Sequence, residues 1–223
     1  MDEILVEFFS KKYEEKINKN ILFYTFPEDE VRNYVERLIQ VPVEKYVDYI
    51  VEKQEKEQIL SKDVFQFSSF DDATVRICEK LKEIDNPGVK FLEAGKLLLD
   101  DGKERKDGAY VKYGENHLKA SQMLGLSFEL CGTYYLSGIG YIFEMMTADE
   151  QQDMLVRLIL RSKLVERLIQ ASQNGKVDLR SFLYMLSDTT YIRRSSNIKR
   201  VLAYLSAFSG SGLIEDFIKK IDV

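Results

Sequence analysis

Residues 114–137 read GENHLKASQMLGLSFELCGTYYLS, and their reading decides the fold. Gly114-Glu115-Asn116 opens a short helix over His117–Leu124, and Gly125 closes it in the left-handed conformation that glycine tolerates. Leu126–Leu130 and Thr133–Leu136 alternate imperfectly about Cys131-Gly132, which predicts a small hairpin. Ser137 is placed to cap the next helix, which carries Ile139, Ile142, Phe143 and Met146.

Working upstream, Ser69–Asp72 offers a cap before a helix over Thr74–Ile84, with Val75, Cys78, Leu81 and Ile84 on one stripe. Asn86-Pro87-Gly88 breaks the chain. A second helix spans Val89–Leu99 through Phe91, Leu92, Gly95 and Leu98, and Asp100-Asp101-Gly102 ends it before the polar stretch 103–108. The order helix, helix, short helix, hairpin, helix is a winged-helix arrangement. Three helices bury one face each, the hairpin covers an open side, and the third helix is the recognition element.

Downstream, Thr147 with Asp149-Glu150 starts a long helix that breaks near Arg161-Ser162 and ends at Asn174-Gly175. Lys176-Val177-Asp178 reads as a tiny strand and cap, Leu179–Leu186 as a short helix, and Thr189–Tyr204 as a second recognition-like helix carrying Tyr191, Ile192, Ile198, Val201 and Leu202. Leu213–Ile221 is a last strand or short helix. Residues 1–70 read as an acidic, mainly helical region with apolar stripes such as Val31, Tyr34, Val35 and Leu38, and with Ile21–Phe26 as a strand or extended link. The expected fold is therefore mainly α with a small β-hairpin: an N-terminal helical region over 1–70, a winged helix-turn-helix domain over 71–147, and a second helix-turn-helix-like domain over 148–223.

Composition bounds the function. The 223 residues carry 32 basic and 37 acidic side chains, a net charge of -5, which argues against a dominant non-specific DNA binder. The charge is uneven. Residues 1–70 hold 10 basic and 15 acidic side chains, whereas 176–200 hold 6 and 2, so a local basic face is compatible with the acidic whole. Two cysteines cannot build a disulfide framework or a four-thiolate zinc site. No apolar run approaches the length of a membrane span, and MDEILVEFF lacks the basic start of a signal peptide, so a cytoplasmic location is expected. No P-loop, GxGxxG, HExxH or GxSxG pattern is present.

Two stretches are candidates for contact with nucleic acid. In the first, Lys112, Asn116, His117, Lys119 and Gln122 sit at the start and along the third helix. Asn and Gln can pair with adenine, Lys and His can meet phosphate or guanine, and the free amides of a helix start can hold a phosphate. The alternative is that Tyr113 packs, Asn116 caps and His117 hydrogen-bonds inside the domain. In the second, Arg193, Arg194, Asn197, Lys199 and Arg200 fall at helical steps, so several share a solvent face opposite Ile198, Val201 and Leu202. That face either docks on a duplex, is a solvated surface, or forms salt bridges to the acidic N-terminal region. His117 has no Cys or His at metal spacing, and acidic pairs such as Asp71-Asp72 and Asp149-Glu150 suit helix starts. No catalytic residue, metal or cofactor is expected.

Glu93-Ala94-Gly95, Lys112-Tyr113-Gly114-Glu115-Asn116-His117, Leu124-Gly125-Leu126 and Leu136-Ser137-Gly138-Ile139-Gly140 together resemble the winged helix-turn-helix modules associated with restriction and phage-defence systems. Leu186-Ser187-Asp188-Thr189-Thr190 with Arg193-Arg194 and Ile198 is similar to a second unit of that type. The resemblance covers roughly residues 73–208. It implies a non-catalytic DNA-binding or transcription-regulatory module with double-stranded DNA as partner. The alternatives are a protein-interaction adaptor on the same scaffold, with a protein partner or a homodimer and apolar exposure at Phe23, Phe26 or the wing, and, less favoured, an enzyme with a site around His117.

Overall fold

The computed structural model describes residues 2–23, 26–53 and 58–222, with the side chain of Phe23 outside that description. Tyr24 and Thr25 of the apolar run, the charged stretch 54–57 and the Phe23 surface named above therefore lie outside the described residues. The chain is mostly helical, with one antiparallel hairpin and one short parallel pair among the described residues. In chain order the elements are α1 (Glu3–Ser10), α2 (Lys12–Phe23), α3 (Glu28–Gln40), α4 (Val43–Lys53), a 3-10 turn (Ser61–Asp63), α5 (Phe70–Ala73), α6 (Val75–Glu83), α7 (Phe91–Leu98), α8 (Asp107–Leu124), β1 (Ser127–Leu130), β2 (Thr133–Leu136), α9 (Gly138–Glu144), α10 (Ala148–Leu160), α11 (Lys163–Ser172), β3 (Val177–Asp178), α12 (Leu179–Phe182), α13 (Asp188–Phe208), α14 (Gly212–Lys219) and β4 (Ile221–Asp222). They form two compact units, each assembled from separate stretches of chain. One comprises residues 10–35 and 66–147, the other residues 1–9, 36–65 and 148–223.

The first of these, the hairpin unit, is organised by the crossing of α7 over α8. A Cβ added at Gly95 would lie 1.9 Å from the Tyr110 carbonyl oxygen, and one at Gly114 would lie 1.9 Å from that of Phe91. Only glycine lets the two backbones approach this closely. The contact explains a departure from the sequence reading: Gly114 does not open a short helix at His117 but lies inside an 18-residue helix that begins at Asp107. A glycine inside a helix costs about 1 kcal/mol relative to alanine, and the close packing it permits offsets that cost.

The hairpin forms as the alternation predicts, with Ser127 opposite Leu136 and Leu130 opposite Thr133. Cys131 and Gly132 at its tip both take positive φ, +51° and +78°, the pairing that a two-residue turn needs to match strand twist. Val89 adds a third extended segment beside β2. Its N–H donates to the Tyr134 carbonyl at 2.9 Å, and its own carbonyl accepts from Tyr134 N at 2.8 Å. Asn86, at φ +47°, holds the far end of β2 by accepting from Leu136 N at 2.7 Å. Ser137 caps α9 as expected, accepting from Gly140 N at 2.9 Å. The Asn18 side chain on α2 accepts from Gly138 N at 3.0 Å, and Phe26 lies against Tyr141 with ring centroids 4.9 Å apart.

The second unit packs α10 and α11 at its centre. Arg157 is 3% exposed. Its guanidinium donates to the carbonyls of Leu38 at 2.9 Å, Ile39 at 2.5 Å and Val41 at 3.0 Å, which closes the C-terminal end of α3 with a cation where the helix dipole favours one. Arg161, also buried, lies 4.2 Å from the centroid of Phe8. The break expected at Arg161-Ser162 separates α10 from α11, and the Ser162 hydroxyl donates back to the Ile159 carbonyl at 2.6 Å. Asp178 caps α12 by accepting from the amides of Arg180 and Ser181. The short α12 leads through a turn into α13, whose inner stripe of Ile198, Val201, Leu202 and Leu205 is buried. Residues 212–219 are helical, and only Ile221–Asp222 pairs, in parallel, with β3.

Candidate nucleic-acid interface

The first candidate stretch lies on α8 in the hairpin unit. Lys112, Asn116, Lys119 and Gln122 follow one another at four- and three-residue steps and so share a face. Lys112, Lys119 and Gln122 are exposed and Asn116 is half-buried. Glu115 sits between the lysines, accepting from Lys119 at 2.7 Å and from Lys112 at 3.0 Å. These two ammonium groups hold its carboxyl below the usual range. The face therefore presents two cations already shared with one anion.

His117 points the other way and is fully buried. Its Nε2 lies 3.2 Å from the Ser69 amide and 3.4 Å from that of Ser68. Both amides are donors, so Nε2 accepts, and the ring proton resides on Nδ1, which donates to the Tyr113 carbonyl at 2.7 Å. Burial lowers the imidazole pKa, since a cation there would lose its hydration. The ring lies against Tyr113, tilted by 32°, with centroids 4.0 Å apart. The Tyr113 hydroxyl donates to Asp72, and Arg76 pairs with the same carboxylate at 2.7 Å. Burial pushes the Tyr113 hydroxyl up to about 12. His117 thus binds the amides at the start of α5, and no face of it reaches a phosphate or a base. The amides of Gly114–Asn116 are likewise interior to α8 rather than a free helix start, so the phosphate cradle expected there does not form.

The second candidate stretch lies on α13 in the other unit. Helix geometry divides its polar residues. Arg193, Lys199 and Arg200 are exposed, together with Ser196. Arg194 turns inward, where its Nη1 donates to the carbonyls of Ser61 and, at 3.1 Å, of Val64. Loss of hydration, with Arg193 beside it, lowers its pKa. Asn197 is buried, and its Nδ2 donates to the Phe65 carbonyl at 3.4 Å. The solvent face read from the sequence thus loses Arg194 and Asn197 to packing against residues 61–65. On this helix Arg194 meets the backbone carbonyls of that segment. The one acidic residue of α13, Asp188 in its first turn, pairs with Arg180, whose guanidinium also lies 4.8 Å from the Tyr191 centroid.

Three exposed apolar side chains near this helix were not picked out by sequence pattern. Ile192 is 69% exposed, as its position across the helix from Val201 requires; Tyr184 is 67% and Leu60 46% exposed. Gln58 donates to the Tyr184 hydroxyl, so the segment carrying Leu60 lies beside the turn that follows α12 and beside α13. Helical spacing from the stripe at Ile198 and Val201 is the signal that distinguishes Ile192 in the sequence.

Among the described residues no group of three or more His, Cys, Asp or Glu is arranged to hold a metal, and no helix is long and apolar enough to cross a membrane. Cys78 is buried, and that burial pushes its thiol up, whereas Cys131 is exposed at the hairpin tip. Comparisons with protein-family models, with curated proteins and with solved structures return no match.

Proposed function

We propose that the chain is a non-catalytic DNA-binding module of the winged helix-turn-helix kind, acting in regulation or in a restriction or defence system. The observation that carries this reading is the exposed face of α13. Arg193, Ser196, Lys199 and Arg200 line it over two turns, and the only carboxylate on the helix lies at its start. Such a face suits phosphates spaced along a duplex, where binding is driven by release of counterions. The short helix, turn and long helix of α12 and α13 suit groove docking. The hairpin unit adds support through its order: helix, the Val89 bridge, two helices crossing at glycines, and a hairpin. Its α8 contributes less charge, because Glu115 engages Lys112 and Lys119.

The test is fluorescence anisotropy with a labelled mixed-sequence duplex at low salt. Wild-type protein binds, and an Arg193→Ala/Lys199→Ala/Arg200→Ala variant binds about tenfold or more weakly. A folded wild-type protein inert toward every duplex overturns the reading. That result favours the second reading, a protein-interaction adaptor, for which the exposure of Leu60 and Tyr184 speaks.

A further inference from the structure

We infer that α13 recognises a methyl group at C5 of a pyrimidine in the major groove, through Ile192. This rests on the DNA-binding reading and specifies what that surface reads. Ile192 lies in the second turn of α13, near the end of a docking helix that reaches base edges. It is 69% exposed, the highest value among the large apolar side chains of the described residues; Tyr184 follows at 67% and Leu60 at 46%. It is flanked by Arg193 and followed one turn later by Ser196, and Lys199 continues the same face.

The chemistry of that face is specific. Arginine, lysine and serine side chains meet phosphates or polar base edges, and none of them prefers a methyl group. A branched aliphatic side chain has nothing to donate or accept. What it can match in the major groove is the one apolar feature displayed there, the C5-methyl of thymine. A 5-methylcytosine presents the same group at the same position. Two further polar residues of α13 turn to carbonyls: Asn197 to that of Phe65, and the Ser195 hydroxyl to that of Ile192 at 3.2 Å. Ile192 is the apolar side chain on this face, and its contact depends on whether a C5-methyl is present.

The experiment needs no knowledge of a target site. Competition anisotropy compares poly(dA-dT) with poly(dA-dU), and poly(dG-dC) with its 5-methylcytosine form, for wild-type protein and Ile192→Ser. The position is exposed, so the substitution leaves the fold intact, and circular dichroism verifies this. Removal of a buried methyl corresponds to roughly fourfold weaker binding. The expected result is about fourfold preference for the methylated member of a pair in the wild type and none in Ile192→Ser. Preference within the first pair alone identifies thymine as the source, and preference within the second alone identifies 5-methylcytosine. Salt-dependent binding with no preference, or a preference that Ile192→Ser retains, overturns the inference and leaves DNA binding standing. Absence of binding to all four polymers removes the DNA-binding reading itself, and this inference with it.

Discussion

The guanidinium of Arg194 donates to the Val64 carbonyl at 3.1 Å, while Arg193, its neighbour in sequence, faces solvent. Two adjacent arginines thus have separate tasks. Arg194 anchors α13 to residues 61–64, and Arg193 belongs to the exposed face. Replacing Arg194 with alanine removes donors from partly buried carbonyls and lowers the unfolding free energy by about 1–3 kcal/mol. Replacing Arg193 changes it by less than about 0.5 kcal/mol, as expected of an exposed side chain. Urea unfolding of the two variants measures the difference, and equal losses would contradict the division.

The glycine crossing gives a second prediction. At Gly95 and Gly114 a Cβ would meet backbone oxygen at 1.9 Å, and backbone cannot swing aside as a side chain can. Alanine at either position costs about 3 kcal/mol or more, because α7 and α8 must separate. Gly108 lies on the same helix, exposed, with nothing within 4 Å of an added Cβ. Alanine there stabilises by about 0.5–1 kcal/mol through helix propensity and a less entropic unfolded chain. Thermal unfolding of the three variants separates a packing role for the two interior glycines from a general helix effect.

His117 makes stability depend on pH. Burial holds its folded-state pKa below the value of 6.5 that the unfolded chain takes. Below pH 6.5 the unfolded state therefore binds more protons than the folded one. The contribution to stability is fully present above that pH and is lost as pH falls through the window beneath it, by at most about 1.4 kcal/mol per pH unit. His117→Gln removes the titrating group, so its urea midpoint changes less than that of the wild type between about pH 7.5 and about pH 5.5. Equal changes would show that His117 is not held neutral in the fold. Because this is the only histidine in the chain, its NMR titration reads the same property directly.

What the sequence discloses is mostly local. The hairpin around Cys131-Gly132, the Ser137 cap, the break at Arg161-Ser162 and the Asp178 cap each depend on a few adjacent residues, and each is legible from them. Gly114 is misread as a helix start because the reason for its placement, the backbone of α7, lies about twenty residues upstream. The joining of residues 1–9 and 36–65 with 148–223 in one unit is set by side chains such as Arg157 meeting carbonyls far away in sequence. The same holds for the candidate interface. Helical spacing identifies α13 as basic and sets Arg194 on the stripe of Ile198, Val201 and Leu205, with Ile192 opposite, but it cannot tell that residues 61–65 supply the carbonyls that take Arg194 and Asn197. His117 is conspicuous in the sequence because it stands alone, and its burial beneath Ser68 and Ser69 is a tertiary fact.

The most direct measurement is the salt dependence of duplex binding. If Arg193, Lys199 and Arg200 each neutralise one phosphate, replacing all three with alanine lowers the slope of log K against log salt by about three contacts' worth, close to 0.9 for each. The wild type then shows the steeper line and the variant the shallower one, with both proteins equally folded. Parallel lines, or a flat line for the wild type, would contradict the assignment of this face to DNA.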